Sequence, residues 1–150
     1  MFNFYLLPIK TFSLVEISFL FLALIISAYQ DIKTRKISNI VPYSTFVFFF
    51  IYFFIFKGFE GLIFHLLGFL IVSSFGLLLF YFRALGGGDI KLLILLGFIF
   101  PLDSLPRLFF MIILIGGCQG VWGLFHKNKT IPYALSILIG TILYISLNYF

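Results

Sequence analysis

GLIFHLLGFLIVSSFGLLLFYF, residues 61–82, decides the class of fold. The run holds no Asp, Glu, Lys or Arg. It exceeds the ~20 apolar residues that carry a helix across a bilayer core of about 30 Å. Similar runs lie on both sides of it, at 12–29, 40–56, 90–102, 108–125 and 131–149. Pro42 falls in the first turn of its segment, where a helix tolerates proline. The 90–102 run is short and reaches only about 20 Å as a helix. It begins below the surface, continues past Asp103, or meets a thinned bilayer. The sequence therefore predicts an all-α, polytopic membrane protein of six transmembrane helices, with residues 1–150 forming one membrane domain.

Composition agrees. Hydrophobic residues make up 63% of the 150-residue chain, 24 of them Phe, and only 10% are charged. Ordinary soluble domains carry about 25% charged residues, so a soluble protein is excluded. The net charge of +5 does not indicate nucleic acid, because the basic residues fall in short loops between apolar runs. The one cysteine, Cys118, rules out an intramolecular disulfide and a Cys-rich zinc site. His65 and His126 share no ligand spacing with it, so no metal or cofactor is expected. Only Lys10 precedes the first run and no A-x-A site follows it, so that run reads as a retained helix.

Six spans create two sets of loops. One holds Lys33, Arg35, Lys36, Arg83, Lys91, Lys127 and Lys129; the other holds Lys10, Lys57 and Arg107. The positive-inside rule makes the first set cytoplasmic and puts both termini on the opposite side. Asp31 and Asp89 both fall with the cytoplasmic set, although neither was used in the assignment.

A carboxylate near membrane depth costs about 2.5–3.5 kcal/mol at a helix centre on insertion scales, which makes these aspartates functional candidates. Two carboxylates held close share one proton, since both cannot easily ionise. The ionised member takes a proton from water and the protonated member hydrogen-bonds a peptide carbonyl, the logic of aspartic proteases. With Asp31 following the first helix and Asp89 opening the fourth, helix polarity predicts the proton on Asp31 and the base at Asp89. Gly86, Gly87 and Gly88 suggest a mobile loop that has access to positive φ and lets another backbone come close.

Plainer readings stand beside this. Gly-Gly-Gly-Asp is also a turn and helix cap, and an Asp after an apolar run is also a boundary residue. Gly116 and Gly120 form a GxxxG packing face, within the bundle or toward a second copy. Cys118 and Gln119 are expected in helix contacts, and His65 inside the bundle with a hydrogen-bond partner. Glu16 and Asp103 lie toward the other face. They keep open a small transporter or channel in which the aspartates relay protons or cations. A non-catalytic assembly subunit is a third reading.

Three segments together carry a resemblance. Asp31-Ile32-Lys33-Thr34-Arg35-Lys36-Ile37-Ser38-Asn39 is similar to D-x(5)-I-P-N with an inner Arg. Gly86-Gly87-Gly88-Asp89-Ile90-Lys91 matches G-x-G-D-x-K, and Ile131-Pro132-Tyr133-Ala134 matches I-P-[FY]-[GA]. In this order the chain resembles the type IV prepilin peptidases, aspartic intramembrane proteases that also include archaeal preflagellin peptidases. The resemblance implies an endopeptidase of the cytoplasmic membrane that cuts the basic leader from prepilins, pseudopilins or preflagellins. Asp31 and Asp89 match the catalytic pair, and Gly86, Gly87, Gly88, Lys91, Asn39 and Arg35 the supporting positions. Ser38 stands where the family usually has Pro. The paired-cysteine segment of long members that also methylate is absent, so the chain resembles the peptidase-only members. Membrane lipid is the expected surrounding.

Overall fold

A computed structural model describes residues 13–83, 85–125 and 132–149. It contains five helices: α1 (Leu14–Thr34), α2 (Ile40–Tyr81), α3 (Gly87–Ile99), α4 (Leu105–Phe125) and α5 (Tyr133–Tyr149). No strand occurs among the described residues. By length and apolar composition α1, α2 and α4 are each able to cross a membrane, while α5 is a shorter apolar helix. Phe12 and Ile131, the expected first residues of two spans, and His126, Lys127 and Lys129 lie outside the described residues.

α1 starts where its sequence says it should. The Ser13 hydroxyl accepts from the Glu16 N–H at 3.2 Å, and Glu16 Oε2 accepts from the Ser13 N–H at 2.8 Å. This reciprocal capping box satisfies two donors that a helix start leaves open. The helix does not stop at Tyr29. It runs to Thr34 and ends on Arg35, whose left-handed backbone (φ 55°) lets its N–H reach the Asp31 carbonyl at 3.0 Å. Asp31 therefore lies inside the last turn rather than after the helix.

α2 contains both of the expected runs 40–56 and 61–82. A straight helix of its 42 residues would be about 63 Å long. Instead Gly58, at φ 68° and ψ −176°, breaks it. The rings of Phe53 and His65 stack at 3.8 Å, and those of Phe46 and Phe69 lie 5.4 Å apart. Residues twelve apart on a continuous helix are about 18 Å apart, so the chain reverses at Gly58. Two antiparallel arms, 40–57 and 59–81, zip together through aromatic rings. This backbone geometry is essentially restricted to glycine. The six expected segments thus fold as five helices, one of them doubled.

α3 corrects the expectation at 90–102. Leu92, Leu96, Phe98 and Ile99 are all fully buried, so this helix is a core element enclosed by its neighbours. A helix apolar on every side belongs in such a place, and its length matches a buried helix better than a span. It lies against the second arm of α2, where Gly68 and Gly97 bring the backbones together. A Cβ on Gly68 would strike the Gly97 carbonyl, and one on Gly97 would sit 2.6 Å from the Val72 side chain. Where lipid is as apolar as leucine, such close packing holds helices together more than burial from water does. α4 and α5 pair similarly, with Gly140 against the Ile112 backbone. Ser136 Oγ also donates to Gln119 Oε1 at 2.6 Å between them. Gln119 makes the expected helix contact; Cys118, expected in one too, is exposed. Leu22, Ile25, Phe54, Ile55, Phe110 and Ile113 face outward, an apolar belt suited to lipid.

Candidate active site

Asp31 sits on the inner face of the last turn of α1, 9% exposed. Its Oδ2 accepts the Ala134 N–H at 3.2 Å across 103 residues of sequence. Ala134 belongs to the first turn of α5, which begins just after Pro132. The carboxylate thus meets the positive end of α5, a favourable partner for negative charge. Past Asp31 the chain is tied down on both sides of its turn. Gln30 Oε1 accepts the Ser38 N–H at 2.9 Å, and Thr34 Oγ1 donates to the Gln30 carbonyl at 2.8 Å. A proline at 38 would have no N–H to give Gln30, so Ser38 replaces ring rigidity with a hydrogen bond. One residue on, Asn39 Oδ1 accepts Lys91 Nζ at 2.5 Å. That bond joins the segment after α1 to α3.

Asp89 stands in the first turn of α3, before the 90–102 run and outside the spanning segments. Its carboxyl curls back toward Gly86, so close that a Cβ there would lie 3.0 Å from Oδ2. Burial, then the neighbouring Asp31 carboxylate, push the Asp89 carboxyl up to about 6, against a hydrogen bond from the Gly86 backbone. Its Oδ1 is buried with no hydrogen-bond partner among the described residues. This direction runs against the expected assignment of the proton to Asp31 and the base to Asp89. Helix polarity is worth about 0.3–1 kcal/mol at a helix end, and burial of the charged form outweighs it. The premise at Asp31 also fails, because that residue lies within α1 and faces the start of α5.

The glycine run meets one expectation and departs from another. Gly87 and Gly88 form the first turn of α3, and Gly58 is the only glycine with positive φ among the described residues. The expected close approach is present. A Cβ on Gly88 would lie 3.1 Å from that of Ile37, so Gly88 lets the α1–α2 connection settle on α3. Arg35 contributes its left-handed backbone, and its side chain is exposed. Gly116 is occupied from within the chain: a Cβ there would sit 2.6 Å from the Tyr133 ring, whereas Gly120 faces open space. Half of the expected GxxxG face therefore seats Tyr133. Gln30 and the Ala134 N–H were not singled out from sequence. The I-P-Y-A segment carried the signal for the second; nothing marked Gln30. Among the described residues no three His, Cys, Asp or Glu side chains gather into a metal-binding group.

The type IV leader peptidase family matches residues 18–121, a stretch that includes both Asp31 and Asp89. The chain belongs to that family. A prepilin leader peptidase/N-methyltransferase of Bacillus subtilis (strain 168) is 39% identical over 62 residues, 39% of this chain and 25% of that protein. The chain thus matches about a quarter of that curated relative's length. No solved structure matches. As a member of this family the chain carries membrane-type helices, three of them long and apolar enough to cross a bilayer.

Proposed function

We propose that the protein is an aspartic-type endopeptidase that removes the basic leader of prepilin-like substrates at the cytoplasmic face of the cell membrane. One observation carries this reading: three segments distant in sequence converge on the aspartates. Asp31 receives the Ala134 N–H, Asn39 receives Lys91, and Asp89 lies within electrostatic range of Asp31. In the proposed reaction Asp89 holds the shared proton and Asp31 is the base. Water attacks the scissile carbonyl while Asp31 takes its proton and Asp89 protonates the carbonyl oxygen. The resulting diol collapses as one of its hydroxyls returns a proton to Asp89, and the amine leaves with the proton from Asp31. Seating a substrate excludes water from Asp89 and strengthens its hold on the proton. A transporter is less well supported, because Glu16 is engaged by Lys57 at 3.5 Å and Asp103 is exposed.

The two arms of α2, with α1, α3, α4 and α5, supply the six segments of the proposed topology. The basic residues place Asp31 and Asp89 inside and both termini outside. A membrane-impermeant thiol reagent is expected to label a Lys36→Cys variant (Cys118→Ser background) from the cytoplasmic side only. Labelling from the opposite side would refute the orientation.

The test of the activity is co-expression with a leader-bearing prepilin. Wild type is expected to yield a shortened pilin whose mass shows a free, unmethylated N-terminus. Asp31→Ala and Asp89→Ala are expected to accumulate in the membrane and leave the substrate intact. Processing by the double variant would remove the aspartates from the mechanism.

A further inference from the structure

Glu16, Lys57 and His65 form a second polar cluster at the far end of the helices that carry the aspartates. Glu16 is 2% exposed and His65 7%. Glu16 Oε2 holds the Ser13 N–H, and Oε1 lies 3.5 Å from Lys57 Nζ. Lys57 Nζ is 3.2 Å from His65 Nε2, and His65 Nδ1 is 2.8 Å from the Phe98 carbonyl oxygen. An ammonium only donates and a carbonyl only accepts. The ring therefore carries its proton on Nδ1, giving it to Phe98 and accepting from Lys57 at Nε2. Phe53 fixes the imidazole by stacking at 3.8 Å and lies 4.2 Å beneath the Lys57 ammonium.

The cluster links two helices that meet chiefly through α2, where Ser13 Oγ also lies 2.9 Å from the Tyr52 hydroxyl. α1 carries Glu16 at this end and Asp31 about 22 Å away at the other. α3 carries Phe98 here and Asp89 about 14 Å away. α1 packs mainly on α5 and α2, and α3 mainly on α2, so the two helices meet chiefly through intermediaries. The Gly68–Gly97 approach seats α3 on α2, and its Leu and Ile side chains fill the remaining space. The side-chain bonds that pin it are Lys91 to Asn39 near its start and His65 to Phe98 near its end.

We propose that Glu16, Lys57 and His65 are positioning residues that set the axial register of α1 against α3, and through it the separation of Asp31 and Asp89. This rests on the peptidase reading above. A displacement of 1 Å at a reacting pair costs about 100-fold in rate, so a relay remote from the chemistry has a large lever on it.

The test uses the full chain in liposomes with a leader-bearing prepilin. His65→Ala is expected to lower kcat about 10- to 100-fold with KM held within about twofold. His65→Asn keeps a donor where Nδ1 stood and is expected to recover most of the rate. A geometric readout accompanies them: disulfide formation between Asn39→Cys and Lys91→Cys, in a Cys118→Ser background, is expected to slow with His65→Ala and recover with His65→Asn. Unchanged kcat in His65→Ala, a rise in KM alone, or equal loss in both variants overturns the proposal. If His65→Ala does not accumulate, Glu16→Gln decides. It keeps an acceptor for Ser13 and removes the charge facing Lys57, so an unchanged kcat there overturns the proposal. Wild type that leaves the substrate uncut defeats the peptidase reading itself. Wild type that cuts, with both aspartates required and the His65 series unaffected, defeats only the register proposal.

Discussion

The Asp89 carboxyl is held near 6 by burial first and by Asp31 second. An unfolded Asp titrates near 3.9, so the folded state holds this proton more tightly than the unfolded state does. The contribution is fully present below about pH 4 and is lost as pH rises through about 6. Thermal unfolding in detergent is therefore expected to show stability falling between those values, with Asp89→Asn flattening the slope. The same proton serves the proposed reaction, and kcat/KM is expected to decline as pH rises through about 6 in the free enzyme. A rate limited instead by a group titrating near 4 would assign the proton elsewhere. The two candidate aspartates were legible from their cost in an apolar chain and from the motifs around them. The burial that raises Asp89 was not. Helix polarity treats an end as solvated, whereas Asp89 is shielded by its fold and Asp31 takes its partner from Ala134, 103 residues away.

At the scale of elements, apolar runs showed where helices lie but not how they join or which are enclosed. The runs 40–56 and 61–82 were both recognised, yet their connection reduces to one glycine with φ 68°. Nothing near Gly58 obstructs a Cβ, so Gly58→Ala is expected to cost about 1–3 kcal/mol through backbone strain alone. A lowered midpoint of thermal unfolding in detergent checks this, and an unchanged midpoint would contradict the reversal there. For α3, length was the informative signal: 13 residues are few for a span, and the helix is buried on all sides. Its close fit to α2 depends on Gly68 and Gly97, a pairing that no periodicity within either segment reveals. α1 shows the opposite limit, since its run of apolar residues ends at Tyr29 but its hydrogen bonds continue to Arg35.

Over the whole molecule, polar side chains collect at two opposite ends of the helices. Asp31, Asn39, Asp89, Lys91 and Ala134 meet at one end, and Glu16, Lys57, His65 and the Phe98 carbonyl meet at the other. Counting basic residues had grouped Asp31 with Asp89 and left Glu16 apart, and the fold keeps that division. The Glu16 cluster itself was invisible in sequence, because its members come from three helices. If the aspartates activate water, cleavage in heavy-oxygen water leaves its mark on the product. The purified protein is expected to place one heavy oxygen in the new carboxylate of the released leader, while Asp31→Asn and Asp89→Asn release no leader. Leader release that persists in either variant, or a carboxylate without the solvent label, would contradict the account.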